Sequence, residues 1–419
     1  MPAFRAKQIL EWVYQKGIAD PAEMSNLSKL DRETLAREMT FLSGSTVSHQ
    51  KASDGTQKLL IQWEDFGSRD SGVGIREIQA PDDQARAPLA LPILPSPESR
   101  IPSPVLLDSS RQTECVMIPA GGTPIATREW DDGDDDEDRS TQTRVRRTAC
   151  ISSQVGCPVG CKFCASGIGG LDGNLSAGRI VEQVWRLNAV LGTPALRAGR
   201  HPGSNASGPE GRPTQIQDRI TNIVFMGMGE PLSNFAAVTR AIKILNAPWG
   251  MGIGARRITI STVGLPKAIE KLADEFDLPV TLALSLHAPN DDIRRTLIPW
   301  AEYTNIPDLM SACQKWFDKT GREITLEYIL LGGVNDQPEH ARELASVAKS
   351  LRANVNLIRY NEVKGMPFAR PIDQDVLTFQ KILRDARVNV HIRASRGRDI
   401  AAACGQLRHE KNSAQQSAA

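Results

Sequence analysis

The sequence has no long uncharged apolar stretch, and aromatic residues make up only 5% of its 419 positions. No segment approaches the roughly 18 consecutive apolar residues that a membrane-spanning helix needs. The opening residues, MPAFRAKQILEWVYQKG, lack the apolar core and small-residue cleavage site of a secretory signal peptide. We therefore expect a cytoplasmic protein with no membrane association. Hydrophobic residues at 40% and charged residues at 24% exclude a wholly disordered chain.

The sequence also has little net charge, +1, but its charges are unevenly placed. Residues 131–138 contribute seven negative charges, so the remaining chain carries +8. Residues 381–411 hold eight Lys or Arg against three acidic residues. Such a segment is able to attract a polyanion, although a solvated surface explains the charge equally well.

Seven cysteines in an expected cytoplasmic chain favour metal or redox chemistry over a disulfide framework. Three of them, Cys157, Cys161 and Cys164, lie within eight residues in a C-x3-C-x2-C pattern. Zinc sites usually take four Cys or His ligands, and no fourth ligand follows at a suitable spacing, whereas an iron–sulfur cluster can be held by three thiolates with one iron open. The spacing therefore favours a cluster over a structural zinc site or three unrelated buried thiols.

Composition and periodicity divide the chain into four regions. They are a helical accessory domain at 1–45, a strand-containing linker region with Pro-rich and acidic insertions at 46–145, a catalytic core at 146–405 with an insertion at 193–219, and a disordered tail at 406–419.

The core alternates short apolar runs with amphipathic segments, which predicts a parallel α/β barrel or open sheet. The seven predicted strands are RTACISSQ, ITNIVFMG, RRITIST, PVTLALSL, EITLEYILL, VNLIRY and VNVHIRA, and the predicted helices are 176–191, 234–246, 265–274, 304–319, 337–351 and 374–386. Chemistry in such folds lies at the carboxyl ends of the strands.

Polar residues and glycines follow these strands where that rule expects a pocket. They are the cysteine loop, Gly229 and Glu230, Ser261, the segment Ser285, Leu286 and His287, and Asn361. Gly229 would allow close backbone approach, and Glu230 could accept a hydrogen bond from an ammonium group. Taken singly, a Ser, Asn or His at a strand end is more often a turn or cap residue, but a shared edge favours one binding pocket.

The cysteine loop resembles that of radical S-adenosylmethionine enzymes, and further strings resemble the RlmN family of adenine C2 methyltransferases. The strings are FRAKQILEWVYQKG, TACISSQVGCPVGCKFC, FMGMGEPLSN, ALSLHAP, GVND and RGRDIAAACGQL. The resemblance implies a partial parallel (β/α)6 radical-SAM barrel with a small N-terminal helical accessory domain.

By this resemblance, Cys157, Cys161 and Cys164 bind a [4Fe-4S] cluster, and the strand-end residues bind S-adenosylmethionine. Cys404 accepts a methyl group from one S-adenosylmethionine, and a radical from a second one activates that methyl for addition to adenine C2. Because adenine C2 is not nucleophilic, the reaction passes through a covalent adduct between Cys404 and the base. Cys150 then attacks the sulfur of Cys404 and releases the product. Glu114 matches the residue assigned as proton acceptor.

The resemblance also implies partners. They are 23S rRNA and tRNA as substrates and a low-potential electron donor such as flavodoxin, and we expect a monomer. Two alternatives stay open: a methyltransferase of the sister group that modifies C8 of the same adenine, and an RNA-binding protein whose metal site is only structural.

Overall fold

A mixed sheet of ten strands forms the centre of the computed structural model, which describes residues 3–64, 111–120, 146–192 and 219–407. The strands are β1 Gly44–Lys51, β2 Gln57–Trp63, β3 Gln112–Pro119, β4 Arg147–Cys150, β5 Gln154–Gly156, β6 Leu171–Asn174, β7 Asn222–Phe225, β8 Ile258–Thr262, β9 Thr281–Ser285, β10 Ile324–Leu330, β11 Ala353–Arg359 and β12 Val390–Arg393. The α-helices are α1 Ala3–Leu10, α2 Lys29–Glu38, α3 Ala177–Val190, α4 Phe235–Asn246, α5 Pro266–Glu275, α6 Asp291–Leu297, α7 Ile306–Thr320, α8 Pro338–Lys349 and α9 Asp373–Asp385.

The strand order is β1-β2-β3-β4-β7-β8-β9-β10-β11-β12, and β5 and β6 form a separate hairpin. From β4 to β12 each neighbouring pair is parallel, and helices connect the strands. Six strand–helix units and a seventh strand thus form an incomplete parallel barrel, which confirms the predicted fold class. All seven predicted core strands and all six predicted core helices are present to within a few residues.

Local sequence explains where these elements begin and end. The side chain of Ser176 accepts a hydrogen bond at the start of α3, and Asn305 does the same for α7. Helix α7 ends at Gly321, whose φ of 66° is a left-handed conformation that glycine adopts without steric cost. Strands β9 and β10 are buried over most of their length, because helices cover the outer face of the barrel and the inner face forms its interior.

The N-terminal helices form a small core of their own. Buried Ile9, Val13, Met24, Leu27 and Leu35 make up this core. It is attached to the barrel through Trp185 on α3, whose indole N–H donates to the carbonyl of Val13 at 3.0 Å. The helical nature of this segment agrees with the sequence, and the division of the chain into four regions stays a prediction.

Strands β1–β3 extend the barrel sheet in antiparallel fashion, with Val116 on β3 opposite Cys150 on β4. The region 46–145 therefore contributes structure directly to the edge of the barrel. Its predicted Pro-rich and acidic insertions, most of 193–219, and the tail beyond 407 lie outside the described residues. No helix in the described ranges has the length and apolar character needed to cross a membrane.

Candidate active site

One cavity opens at the carboxyl ends of the parallel strands, where the sequence predicts the site. Nine of the predicted site residues line it: Cys157, Cys161, Cys164, Gly229, Glu230, Ser261, Ser285, His287 and Cys404. Leu286, Asn361, Cys150 and Glu114 are buried and are not among the residues that line the cavity.

The cysteine loop between β5 and β6 presents its three thiols to this cavity. The backbone N–H of Cys157 donates to the carbonyl of Gly170 at 2.9 Å, and that of Lys162 donates to the carbonyl of Leu297. Burial raises the pKa of the Cys157 thiol to about 12, and burial followed by the neighbouring thiols raises that of Cys161. Among the described residues, no group of three His, Cys, Asp or Glu side chains is arranged to hold a single metal ion.

The loop after β7 depends on a glycine and a buried carboxylate. Gly229 has a φ of 102°, and a Cβ there would lie 2.7 Å from the Oγ of Ser153. The Glu230 carboxylate accepts hydrogen bonds from the backbone N–H groups of Leu232 at 3.0 Å and Val263 at 2.8 Å. Burial raises the pKa of Glu230 to about 7 against the effect of these hydrogen bonds.

Three polar residues from β8 and β9 continue the cavity wall. The hydroxyls of Ser261 and Ser285 lie 3.2 Å apart. His287 follows in a left-handed conformation with a φ of 58°, and its Nδ1 accepts the backbone N–H of Ile329 at 3.1 Å. Burial, followed by the charge of Arg294, lowers the pKa of His287 to about 3, so the ring is neutral near pH 7.

A His287→Asn variant should remove one source of acid sensitivity. The native pKa of about 3 lies below the unfolded value of 6.5, so unfolding takes up a proton at intermediate pH and this contribution to stability falls as the pH drops below about 6.5. Asparagine can offer an acceptor near Nδ1 and tolerates a positive φ. Relative to the variant, the wild type should lose about 2 kcal/mol of unfolding free energy between pH 7 and pH 4.5 in urea titrations.

The comparison with the variant is necessary because the raised pKa of Glu230 acts in the opposite direction between about pH 4.5 and pH 7. The wild-type curve alone is the sum of both effects. Parallel curves for wild type and variant would contradict a buried neutral His287.

The segment that carries Cys404 returns to the cysteine loop from the far end of the chain. The backbone N–H of Ala165 donates to the carbonyl of Gly405 at 2.8 Å, and Ser166 donates to the carbonyl of Leu407. Asn361 donates to the carbonyl of Cys404 at 3.4 Å. These contacts hold Cys404 in the same cavity as the cysteine loop, about 240 positions away in sequence.

Cys150 and Glu114 lie on the neighbouring strands β4 and β3. Cys150 ends β4 and is buried against Val224, Met226 and Ala402, the last of which lies two positions before Cys404. Glu114, on β3, pairs with Lys58 at 2.7 Å, and both side chains are about nine-tenths buried.

Sequence reasoning missed four charged residues around the site: Lys58, Arg294, Glu327 and Arg393. Arg294 is fully buried on α6 and donates to the carbonyl of Val263. The backbone N–H of Val263 in turn donates to the Glu230 carboxylate. Glu327 lines the cavity and pairs with Arg393 at 3.3 Å. A usable signal existed only for Glu327, since an acidic residue in the centre of the apolar run EITLEYILL is expected to be buried with a partner.

The fold and site together match a known enzyme class. A crystal structure described as a radical SAM methyltransferase from Sphaerobacter thermophilus superposes with a TM-score of 0.73 at 35% identity, covering 98% of this chain and 94% of that one. A parallel partial barrel with a three-cysteine loop at the carboxyl ends of its strands, together with this similarity, defines a radical S-adenosylmethionine methyltransferase.

The particular family follows from sequence comparison. Residues 2–40 match the ribosomal RNA large subunit methyltransferase N-terminal domain. The chain is 38% identical over 411 residues to the probable dual-specificity RNA methyltransferase RlmN of Salinibacter ruber, covering 98% of this chain and 89% of the relative. It is 36% identical to the dual-specificity RNA methyltransferase RlmN of Syntrophobacter fumaroxidans, covering 97% and 92%. The chain belongs to the RlmN family.

Proposed function

We propose that this enzyme methylates C2 of a specific adenine in 23S rRNA and in tRNA, through a methylated Cys404 and a resolving Cys150. One observation carries the proposal: Cys404 lines the same cavity as the cysteine loop and the Gly229–Glu230 loop. A cysteine held in this cavity is placed to act as a nucleophile that carries the methyl group on its sulfur. Membership of the RlmN family supports the RNA substrate.

The donor set fits a [4Fe-4S] cluster held by Cys157, Cys161 and Cys164. The loop offers three thiols, which leaves one iron of a cubane open for a further ligand. When bound there, the cluster supplies the electron that cleaves S-adenosylmethionine to an organic radical. Apolar Val159 and Phe163 shield the thiols, and Phe163 meets the His287 ring edge-on at 5.0 Å.

We assign S-adenosylmethionine to the wall formed by Gly229, Glu230, Ser261, the Ser285–His287 segment and Asn361. Glu230 already accepts two backbone N–H groups, so its first task is to fix the loop, and a carboxylate keeps capacity for one more donor such as an ammonium group. Asn361 does not line the cavity; its side-chain amide donates to the carbonyl of Cys404, so its proposed contribution is indirect.

The two outlying cysteines perform successive steps. Cys404 takes a methyl group by displacement and later carries the carbon that bonds to adenine. Cys150, buried beside Ala402, attacks the sulfur of Cys404 and releases the methylated base. Glu114 is the proposed proton acceptor, and its carboxylate pairs with the ammonium of Lys58 at 2.7 Å.

The adenine must be unstacked or single-stranded to reach this cavity. The helical N-terminal domain and the basic C-terminal segment 381–411, of which the structure describes residues up to 407, are the proposed RNA contacts. A flavodoxin-type electron donor, a monomeric state and a cytoplasmic location are further predictions.

The test is anaerobic reconstitution with iron and sulfide, followed by reaction with methyl-labelled S-adenosylmethionine, a reductant and an rRNA fragment or tRNA. Mass spectrometry of digested nucleosides should find 2-methyladenosine together with 5′-deoxyadenosine. Formation of 8-methyladenosine would instead identify the sister activity. A stable metal site without cofactor cleavage on either RNA would support a purely structural role for the metal.

Replacing any one of Cys157, Cys161 or Cys164 with alanine should abolish cluster binding, since a cubane held by two thiolates loses a strong ligand. We expect iron content after reconstitution to fall to roughly one tenth of wild type or less. Cys313→Ala is the matched control, because Cys313 is a buried thiol on α7 outside the cavity. Equal iron in the loop variants and the control would refute the ligand assignment.

A further inference from the structure

An ion pair joins β12 to β10 at the cavity that contains Cys404. Arg393, at the end of β12, directs its Nη1 toward both carboxylate oxygens of Glu327 on β10, at 3.3 and 3.4 Å. Asn356, on the intervening strand β11, donates to the same carboxylate at 3.1 Å. The Glu327 side chain is only 4% exposed, so the carboxylate is a firm anchor for the guanidinium.

The positive charge of the anchored guanidinium acts on both cysteines, lowering the pKa of each thiol against the effect of burial. Its Nη1 lies 3.4 Å from the sulfur of Met226, which packs in the same apolar group as Cys150 and Ala402. Glu327 and Met226 also line the cavity that contains Cys404. The site thus has a fixed positive charge next to two sulfur atoms that must react with each other.

We propose that Arg393, held by Glu327, is a positioning residue that stabilises the Cys150 thiolate for its attack on Cys404. This inference rests on the proposed function, in which Cys150 resolves the adduct. In that step the S–S bond forms, the bond between the Cys404 sulfur and the methylene carbon breaks, and the electron pair leaves with the carbon, which takes up a proton. The attacking species must be a thiolate, and a nearby cation favours it.

The charged neighbours of Cys150 explain why such help is needed. Burial and then Cys404 raise the pKa of Cys150 to about 12, while Arg393 and the Met226 backbone N–H act in the opposite direction. Cys115, on the adjacent strand β3, is a further thiol close enough for its charge to act on Cys150, but burial raises the pKa of Cys115 and keeps it neutral. Once Cys404 carries carbon it can no longer be charged, so its effect disappears and that of Arg393 remains. The arrangement therefore favours the resolving thiolate after the adduct has formed.

The test uses a mixed disulfide between Cys404 and glutathione in the reconstituted full-length protein. Attack by Cys150 forms the Cys150–Cys404 disulfide and releases glutathione, so peptide mass spectrometry measures the same attack without RNA. In Arg393→Gln this rate should fall about three- to tenfold near pH 8, and its pH profile should shift to higher pH. The loss of Cys150 thiolate outweighs the higher nucleophilicity of each thiolate that remains. Arg393→Lys should recover most of the rate.

Arg240→Gln, an exposed position on α4, is the matched control and should behave as wild type. An unchanged rate and pH profile in Arg393→Gln would overturn the proposal, as would an Arg393→Lys variant that is as slow as the glutamine variant. If wild-type protein forms the Cys150–Cys404 disulfide in this Arg393-dependent manner but methylates no RNA, the proposed function fails while the role of Arg393 stands.

Discussion

A Cys150→Ala variant is expected to leave its RNA substrate covalently attached to the protein. The variant retains the cysteine loop, the Gly229–Glu230 loop and Cys404, so every step up to formation of the carbon bond remains available. It lacks the thiolate that attacks the Cys404 sulfur, and no other described cysteine packs against Ala402. Released methylated RNA should therefore fall at least about a thousandfold, as removal of an essential nucleophile does elsewhere.

Gel electrophoresis under denaturing conditions measures the adduct, and nuclease digestion followed by mass spectrometry locates it on Cys404. Cys313→Ala is the control for the loss of a buried thiol, since Cys150→Ala and Cys313→Ala should each lower the free energy of unfolding by about 1 kcal/mol. Free release of 2-methyladenosine-containing RNA at the wild-type rate would exclude Cys150 from the reaction.

The barrel was predictable because its strands are short apolar runs separated by amphipathic helices. Strands such as Thr281–Ser285 and Ile324–Leu330 are buried over most of their length, so their sequences are mainly apolar and end at turn residues. Helix α6, Asp291–Leu297, was missed because its seven residues give too little periodicity and four of them are Asp or Arg, including the buried Arg294. The β5–β6 hairpin was missed because Leu171–Asn174 carries no apolar alternation.

The strand-end residues were predictable by the same rule, since parallel strands bring their carboxyl ends to one edge. Ser261 and Ser285 are 24 positions apart in sequence and 3.2 Å apart in space for this reason. The pairings Lys58–Glu114 and Arg393–Glu327 could not be predicted, because each joins strands whose register depends on the assembled sheet. A sequence shows that such residues are charged but not which partner neutralises them.

The attachment of the Cys404 segment also emerges only in three dimensions. Two residues of the turn between β1 and β2 bind this segment: Asp54 accepts the N–H of Gly397 at 3.0 Å, and the N–H of Ser53 donates to Asp399 at 2.9 Å. Lys58, on β2, donates to the carbonyl of Ala401. Strands outside the barrel thus position the proposed methyl-carrying residue. This explains physically why a region with linker-like composition borders the site.

A Cys404→Ser variant is expected to lose methyl transfer to both protein and RNA. A serine hydroxyl is not a nucleophile without an activating base, so it should not accept the methyl group that a thiolate takes by displacement. Labelled methyl on the protein should disappear and methylated RNA should fall at least about a thousandfold. Iron content should not change, since the three loop cysteines remain and Cys404 serves a separate purpose in the cavity.

Cys150→Ala provides the matched comparison, because it should retain labelled methyl on Cys404 that the serine variant lacks. The two variants then separate the steps: one stops before sulfur is methylated and the other stops after carbon is bonded to RNA. Wild-type yields of methylated RNA from Cys404→Ser would mean that methyl reaches adenine without passing through this sulfur. In that event the placement of Cys404 in the cavity would require another explanation, and the resolving role of Cys150, which acts only on Cys404, would fail with it.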